Sequence, residues 1–414
     1  MKDNSKSVLV VGFNTRPLTY SLKIANYDVY AVDFFGDVDL YPNVKDSLVI
    51  TKELETNYES IKDQYSKLLS DFTIKMLEKY PNINYLIIGS GLDDAYEERE
   101  TILTEIKNKN YKIKSLNNDN TLKRARNIEF IYNFLKMNTY KVPFTFRYDD
   151  LKSFKGKLQY PIIIKKPKSA GGLNVFKIEN PEEFSPLIKN LNTKKFISSE
   201  WLIQEYIEGI PISCTTISNG SECEIISINR QVIGEQFLYS PKDFMYCGNT
   251  VPADLPKEDN ELISKISKTL ANKLSLKGIN GFDFVLKNHY PYLMEVNPRI
   301  PGSIRASEMS YNLNLLDLHV KSFYLNEWNT IKKIIRTKKL SGFSTKLIFF
   351  APKEINKNLV SEINNLKCVH DKSEPNKNIL KGEPLCTILY KGRNIQESFD
   401  GAKNIVNKIN MIIS

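Results

Sequence analysis

Four side chains late in the chain have types and spacing that suit phosphate chemistry: Asp283, Glu295, Asn297 and Arg299. They lie in two alternating apolar runs, Asn280 to Leu286 and Tyr290 to Arg299, separated by a polar turn, a pattern that predicts a β-hairpin. Residues two apart on a strand share a face, so Glu295 and Asn297 point the same way. Two carboxylates and an amide oxygen converging there make a hard-oxygen site suited to Mg2+ or Mn2+ held against nucleotide phosphates. Arg299, two positions further on, would reach negative charge as it develops. A second cluster stands upstream, in Lys165-Lys166-Pro167-Lys168-Ser169-Ala170-Gly171-Gly172. A basic loop with glycines lets backbone approach phosphates while lysines neutralise them. Alone, acids on strands read as solvated carboxylates and the loop as a basic turn. Together, in this order, they read as a site for Mg-ATP.

Elements must bring these residues together. Tyr160-Pro161-Ile162-Ile163-Ile164-Lys165 is a buried-type strand, Val175-Phe176-Lys177 another, and Trp201 to Gly209 an apolar strand with a polar interruption. The periodicity of Leu122 to Leu135 predicts a single helix, followed by a boundary at Val142-Pro143. The first segment alternates strand runs with helical patterns: Val8–Gly12, Val29–Asp33 and Tyr85–Gly89 predict βαβ units around a parallel sheet. Ligands of such sheets bind beyond the carboxyl ends of the strands, which makes Arg16 and the Asp93/Asp94 pair candidate substrate contacts. No GxGxxG follows a strand, so a dinucleotide site is not indicated.

These motifs resemble the ATP-grasp superfamily, to which biotin carboxylase, carbamoyl phosphate synthetase and D-alanine–D-alanine ligase belong. The likeness covers roughly residues 115–325. Its most specific part is Asp283 followed by Glu295-x-Asn297-x-Arg299, similar to the family's acid, then E-x-N-x-R. The resemblance implies an α/β fold with an N-terminal αβ domain over 1–115, an ATP-grasp domain over 116–330 with a mobile lid at about 150–205, and a small β-rich C-terminal subdomain over 331–414. It implies that Lys165 contacts ATP phosphates, that Gly171 and Gly172 belong to the flap, and that Gln204, Glu205 and Ile207 form the hinge, with backbone groups of Glu205 and Ile207 on adenine. The usual ribose glutamate position holds Pro211, and Glu208 is the substitute candidate. An earlier phosphate-binding cation would be Lys123, Arg124 or Arg126. The implied cofactors are ATP and Mg2+ or Mn2+, with Asp283, Glu295 and Asn297 as metal ligands and Lys165 and Arg299 as catalytic cations. The implied reaction activates a carboxylate as an acylphosphate and passes it to an amine, with glutamate one candidate. A bicarbonate-activating carboxylase and a non-catalytic nucleotide-binding regulator are the alternatives. The stretches VGFNTRP and AVDFFGD look closest to archaeal-type carboligase-like members.

Composition limits the other classes. The chain has 414 residues, enough for two or three domains, and 41% hydrophobic residues exclude wholesale disorder. The net charge of +10 is modest, and its one basic cluster, Lys332 to Lys339, reads as a solvated surface, so no nucleic-acid partner is expected. Five cysteines without CxxC spacing read as reduced cytosolic thiols, and three separated histidines as packing or surface residues. No apolar run reaches the roughly 18 residues of a membrane span, and the start reads as having no signal peptide. The expectation is a soluble cytoplasmic enzyme acting on small molecules, for which a homodimer is one assembly the resemblance allows.

Overall fold

The computed structural model describes residues 6–167, 171–192 and 197–414, and its described residues form three sheets. The first is parallel, in the order β3-β2-β1-β4, from β1 (Ser7–Gly12), β2 (Asp28–Asp33), β3 (Asp46–Val49) and β4 (Tyr85–Ile88). Val8, Leu9, Val10 and Val11 are all fully buried, as a parallel strand covered on both faces requires. Val8 and Val10 pack into a core shared with Ile304, Leu316, Trp328 and Ile331, whereas Leu9 and Val11 face Leu69, Met76 and Ile102. One face of this sheet is therefore cemented to later helices. That fixes where the loops beyond its carboxyl edge, including Asp93 and Asp94, can reach.

The second sheet, β5-β8-β6-β7, is antiparallel and comprises β5 (Thr145–Arg147), β6 (Ile162–Lys165), β7 (Val175–Ile178) and β8 (Leu202–Glu205). Ile162, Ile164, Ile178 and Ile203 form its own small core with Trp201. The third sheet has eight strands in the order β13-β12-β9-β10-β11-β14-β16-β15. They are β9 (Ile210–Asn219), β10 (Cys223–Ile233), β11 (Tyr246–Val251), β12 (Lys277–Lys287), β13 (Tyr290–Asn297), β14 (Phe343–Phe350), β15 (Val369–His370) and β16 (Pro384–Gly392). The β-rich tail thus builds no separate sheet: β14 pairs with β11 and continues the central one.

The sequence reading is corrected at Leu122 to Leu135. Two helices occupy this stretch, Asp119–Ala125 and Ile128–Met137. Asn127 divides them, because its side chain accepts a hydrogen bond from the Phe130 N–H and its extended backbone cannot continue the first helix. The basic cluster is partly spent on the fold: Lys332 pairs with Glu222, Arg336 with Glu224, and Lys338 donates to the Ile225 carbonyl. His319 is buried with its Nδ1 accepting from the Ile279 N–H, and Cys386 is core, with burial pushing its thiol pKa up. No helix among the described residues is long and apolar enough to cross a membrane.

Candidate active site

The hairpin β12–β13 sets Asp283 directly opposite Glu295 and Gly281 opposite Asn297, with a bulge after Asp283. The bulge bends the strand just where the polar side chains gather. Asn297 donates its Nδ2 to Asp283 Oδ2 at 2.7 Å, and Gln231 Nε2, from β10, donates to Asp283 Oδ1 at 3.0 Å. Burial first, and the neighbouring Glu295 charge second, push the Asp283 carboxyl up to about 7. Two close carboxylates are short of positive charge here.

Arg126 supplies part of it. This residue ends the first of the two helices, and the break at Asn127 is what turns it inward. It is 7% exposed, donates to Glu295, and holds Asp94 through Nε at 3.0 Å and Nη2 at 2.8 Å. Of the three basic candidates it alone joins the hairpin. Arg124 instead donates to the Lys273 carbonyl at 2.8 Å, and Lys123 lies 5.4 Å from the centre of the Tyr96 ring. Arg299 also reaches the first sheet's loop, through Nε to Asp93 Oδ1 at 2.6 Å.

Lys165 ends β6 and senses both Glu295 and Arg126. Desolvation lowers its pKa to about 8, against the opposing pull of Glu295. Its neighbour Lys166 points elsewhere, to Glu200 at 2.6 Å and over Trp201, so strand alternation separates the two lysines. In the flap, Lys168, Ser169 and Ala170 lie outside the described residues. Gly172 has φ +77°, and a Cβ there would sit 1.8 Å from the Phe244 carbonyl oxygen. Lys242 Nζ donates to the Leu173 carbonyl at 2.7 Å, so the flap's end rests on the turn before β11. Gly171 has φ +64° and open space around it.

Several sequence readings change. Gln204 is 2% exposed and spends its side-chain NH2 on Tyr132 Oη at 3.1 Å and Thr145 Oγ1 at 2.8 Å, so its side chain acts as an internal strut. The Glu205 N–H donates to the Phe144 carbonyl at 2.8 Å, and its carboxylate accepts from the Phe144 N–H. Ile207 is buried at the turn beyond β8, and Glu208 is exposed there. Arg16, read as a substrate contact, is 2% exposed and held by Asp371 at 2.6 Å, with Asp39 at 3.6 Å. Asp93 and Asp94 face arginines for the same reason: each charge is enclosed and needs a counter-charge. Gln231 bonds Asp283, Tyr246 feels the charges of Asp283 and Arg299, and Lys346 lies 5.8 Å from the centre of the Tyr246 ring. No motif marks them, because each comes from a strand whose position only the central sheet defines.

The donor set fits a divalent cation. Asp283, Glu295 and Asn297 offer hard oxygens on one face, and the Asp283 pKa, raised first by burial and then by the Glu295 charge, is what a bound cation would bring back down. Among the described residues no cluster of three or more His, Cys, Asp or Glu forms a complete metal site. Phosphate oxygens would have to complete the shell.

Residues 127–303 match the profile of the ATP-grasp domain family. A relative from Methanocaldococcus jannaschii, itself uncharacterised, is 28% identical over 97% of this chain and 90% of its own length. The D-alanine–D-alanine ligase A of Bacillus cereus is 29% identical over 40% of this chain, which spans just over half, 56%, of that enzyme. Among solved structures, the L-amino acid ligase from Bacillus licheniformis superposes with a TM-score of 0.69 over 97% of both chains, at 16% identity, a likeness of fold. Residues 127–303 are thus similar to ATP-grasp domains, and the chain as a whole shares the fold of the Bacillus licheniformis ligase.

Proposed function

We propose that this protein is an ATP-dependent ligase that activates a carboxylate as an acylphosphate and transfers the acyl group to an amine, releasing ADP and phosphate. The observation that carries this reading is the meeting of Arg126, Lys165, Arg299 and the Asp283/Glu295/Asn297 face in one cleft, with no nucleophilic side chain among them. Phosphoryl transfer needs positioning and charge neutralisation rather than a protein nucleophile. Lys165 and Arg126 balance phosphate charge, and the flap amides at Gly171 and Gly172 close over it. Asp283, Glu295 and Asn297 would hold Mg2+, which when bound neutralises phosphate oxygens. Arg299, anchored through Nε to Asp93 and through Nη1 to the Ile300 carbonyl at 3.3 Å, would turn Nη2 to the acylphosphate and the tetrahedral species formed when the amine attacks. The C–N bonds made by the named relatives are consistent with this chemistry.

The test is ADP and phosphate release from Mg-ATP across a panel of carboxylic acids and bicarbonate, each with and without amines, with Glu295→Ala as control. Release requiring both an acid and an amine, and lost in the variant, is the expected result. Release driven by bicarbonate alone would point to a carboxylase. Tight ATP binding without turnover on any pair would favour a regulator.

A further inference from the structure

A lysine at the far wall of the cleft plays no part in the chemistry above. Lys346 stands on β14 and is 9% exposed. Its Nζ donates to the Gly302 carbonyl at 3.2 Å and lies 5.8 Å from the centre of the Tyr246 ring. Among the described residues no carboxylate comes within ion-pair distance of it. The acid it senses most, Asp371, is already bound by Arg16 and by the Thr387 hydroxyl. One neutral acceptor serves an ammonium that has three donors, and enclosing such a charge is unfavourable without an anion.

The place is not sealed. Gly302 is exposed, and a Cβ there would meet the Tyr246 ring at 3.5 Å and Lys346 Nζ at 3.8 Å; Tyr246 in turn feels the charges of Asp283 and Arg299, so the lysine head lies one ring away from the acidic face. Two more cations border the same chamber. Arg16 acts on Lys346 and His370, and Arg305 acts on His370. Both have acid partners, Arg16 in Asp371 and Asp39 and Arg305 in Glu308, although the Arg305 Nε is buried without one. The remaining acid of this cluster, Asp37, has its pKa pushed up by burial and by the surrounding aspartates, and accepts from the Asn14 amide at 3.0 Å. Of these three cations, Lys346 is the one that, among the described residues, has no carboxylate within ion-pair distance, its pull on Asp371 acting from further off.

Building on the ligase reading, we propose that Lys346 binds a second anionic group of the acid substrate, a carboxylate or a phosphate at the end remote from the carboxyl that reacts. The enzyme would then select dianionic acids over acids carrying one charge. Tyr246, held by its hydroxyl on Asn249 Oδ1 at 2.7 Å, would form the wall along which the substrate lies between Arg299 and Lys346.

Matched acids test this: succinate against succinamate, and 3-phosphoglycerate against glycerate, in ADP release by the full chain with Mg-ATP and an amine panel. The expected result is turnover with one or both dianions and little with their singly charged partners. Lys346→Met should lower kcat/KM for the dianion on the order of tenfold to a hundredfold, the loss of one charge-assisted contact, while the KM for ATP stays put. Lys346→Arg should restore part of it. Equal turnover within both pairs, or unchanged selectivity in Lys346→Met, overturns the proposal. If no acid releases ADP, it is the ligase reading that fails, and binding still decides the role of Lys346: succinate and inorganic phosphate are titrated by calorimetry into wild type and Lys346→Met without nucleotide. Binding lost in the variant supports the anion site; binding absent from wild type, or equal in both, overturns it. A denaturation midpoint for Lys346→Met at or above that of wild type is also expected, since a buried charge is removed, whereas a lower one would mark a structural lysine.

Discussion

Lys165 and Arg126 show how burial tunes single residues for an anionic ligand. The folded-state pKa of Lys165, about 8, lies below the ordinary lysine value because the ammonium is desolvated. ATP phosphates favour the charged form and raise that pKa on binding, so above about pH 8 the free lysine must take up a proton to bind. ATP affinity should therefore fall as pH rises through about 8. Calorimetry in buffers of different ionisation enthalpy should show proton uptake that Lys165→Met abolishes. Arg126 bridges Asp94 and Glu295, and removing it leaves the half-buried Asp94 and the more exposed Glu295 without their arginine. Arg126→Ala should lose about 3 kcal/mol in chemical denaturation, by the rule for breaking a buried ion pair. Arg126→Lys should recover part of that stability but not turnover, because an ammonium cannot fork to both acids. The acid, E-x-N-x-R pattern was legible because strand alternation alone puts its members on one face. Lys123, Arg124 and Arg126 were indistinguishable because a single helix was expected, and only the break at Asn127 decides which side chain turns inward.

At the scale of elements, short segments with one decisive residue control the site. Asn127 caps the helix Ile128–Met137, and its loss should cost about 1 kcal/mol. Asn127→Ala would also let the two helices drift toward continuity and swing Arg126 away, so ATP affinity should fall in the same variant whereas Asn127→Ser keeps it. Gly172 combines a positive φ with backbone contact at Phe244. Gly172→Ala should displace the flap from the turn before β11 and raise the KM for ATP, with little change in overall stability. The parallel first sheet and the hairpin were readable from apolar runs. The hinge was read by likeness, and what the sequence did not announce is the bracing around it: the Gln204 side chain and the Glu205 N–H and carboxylate bond to the neighbouring strand β5 and the residue before it. No pattern of residue types reports which backbone groups a neighbour has already taken.

For the whole molecule, charge and burial tie distant segments together. Arg16 near the start and Asp371 near the end form a buried pair, and Asp371 is held down at about 2: burial raises its pKa, but the charges of Arg16 and Lys346 together with the hydrogen bonds from Thr387 and Arg16 more than offset this. Asp371→Ala should cost about 3 kcal/mol and be partly rescued by Arg16→Met, as a double-mutant cycle would show. His319 is kept neutral with a folded pKa of about 4. The unfolded chain protonates it near pH 6.5, so stability is whole above that pH and drains away as pH falls toward 4, by up to about 3 kcal/mol. Urea midpoints measured over pH 7 to 4 should show this slope, flattened in His319→Gln.

The order of strands in the central sheet also sets a problem for the ribosome. β11 leaves the exit tunnel with β10 already beside it, but the strand that covers its other edge, β14, is made about 90 residues later. Through that interval a strand whose residues Cys247 to Val251 end up buried presents open backbone to any passing chain. Nascent chains stalled between residues 251 and 343 should be the most dependent on chaperones and the most prone to aggregate, and release past β14 should end that dependence.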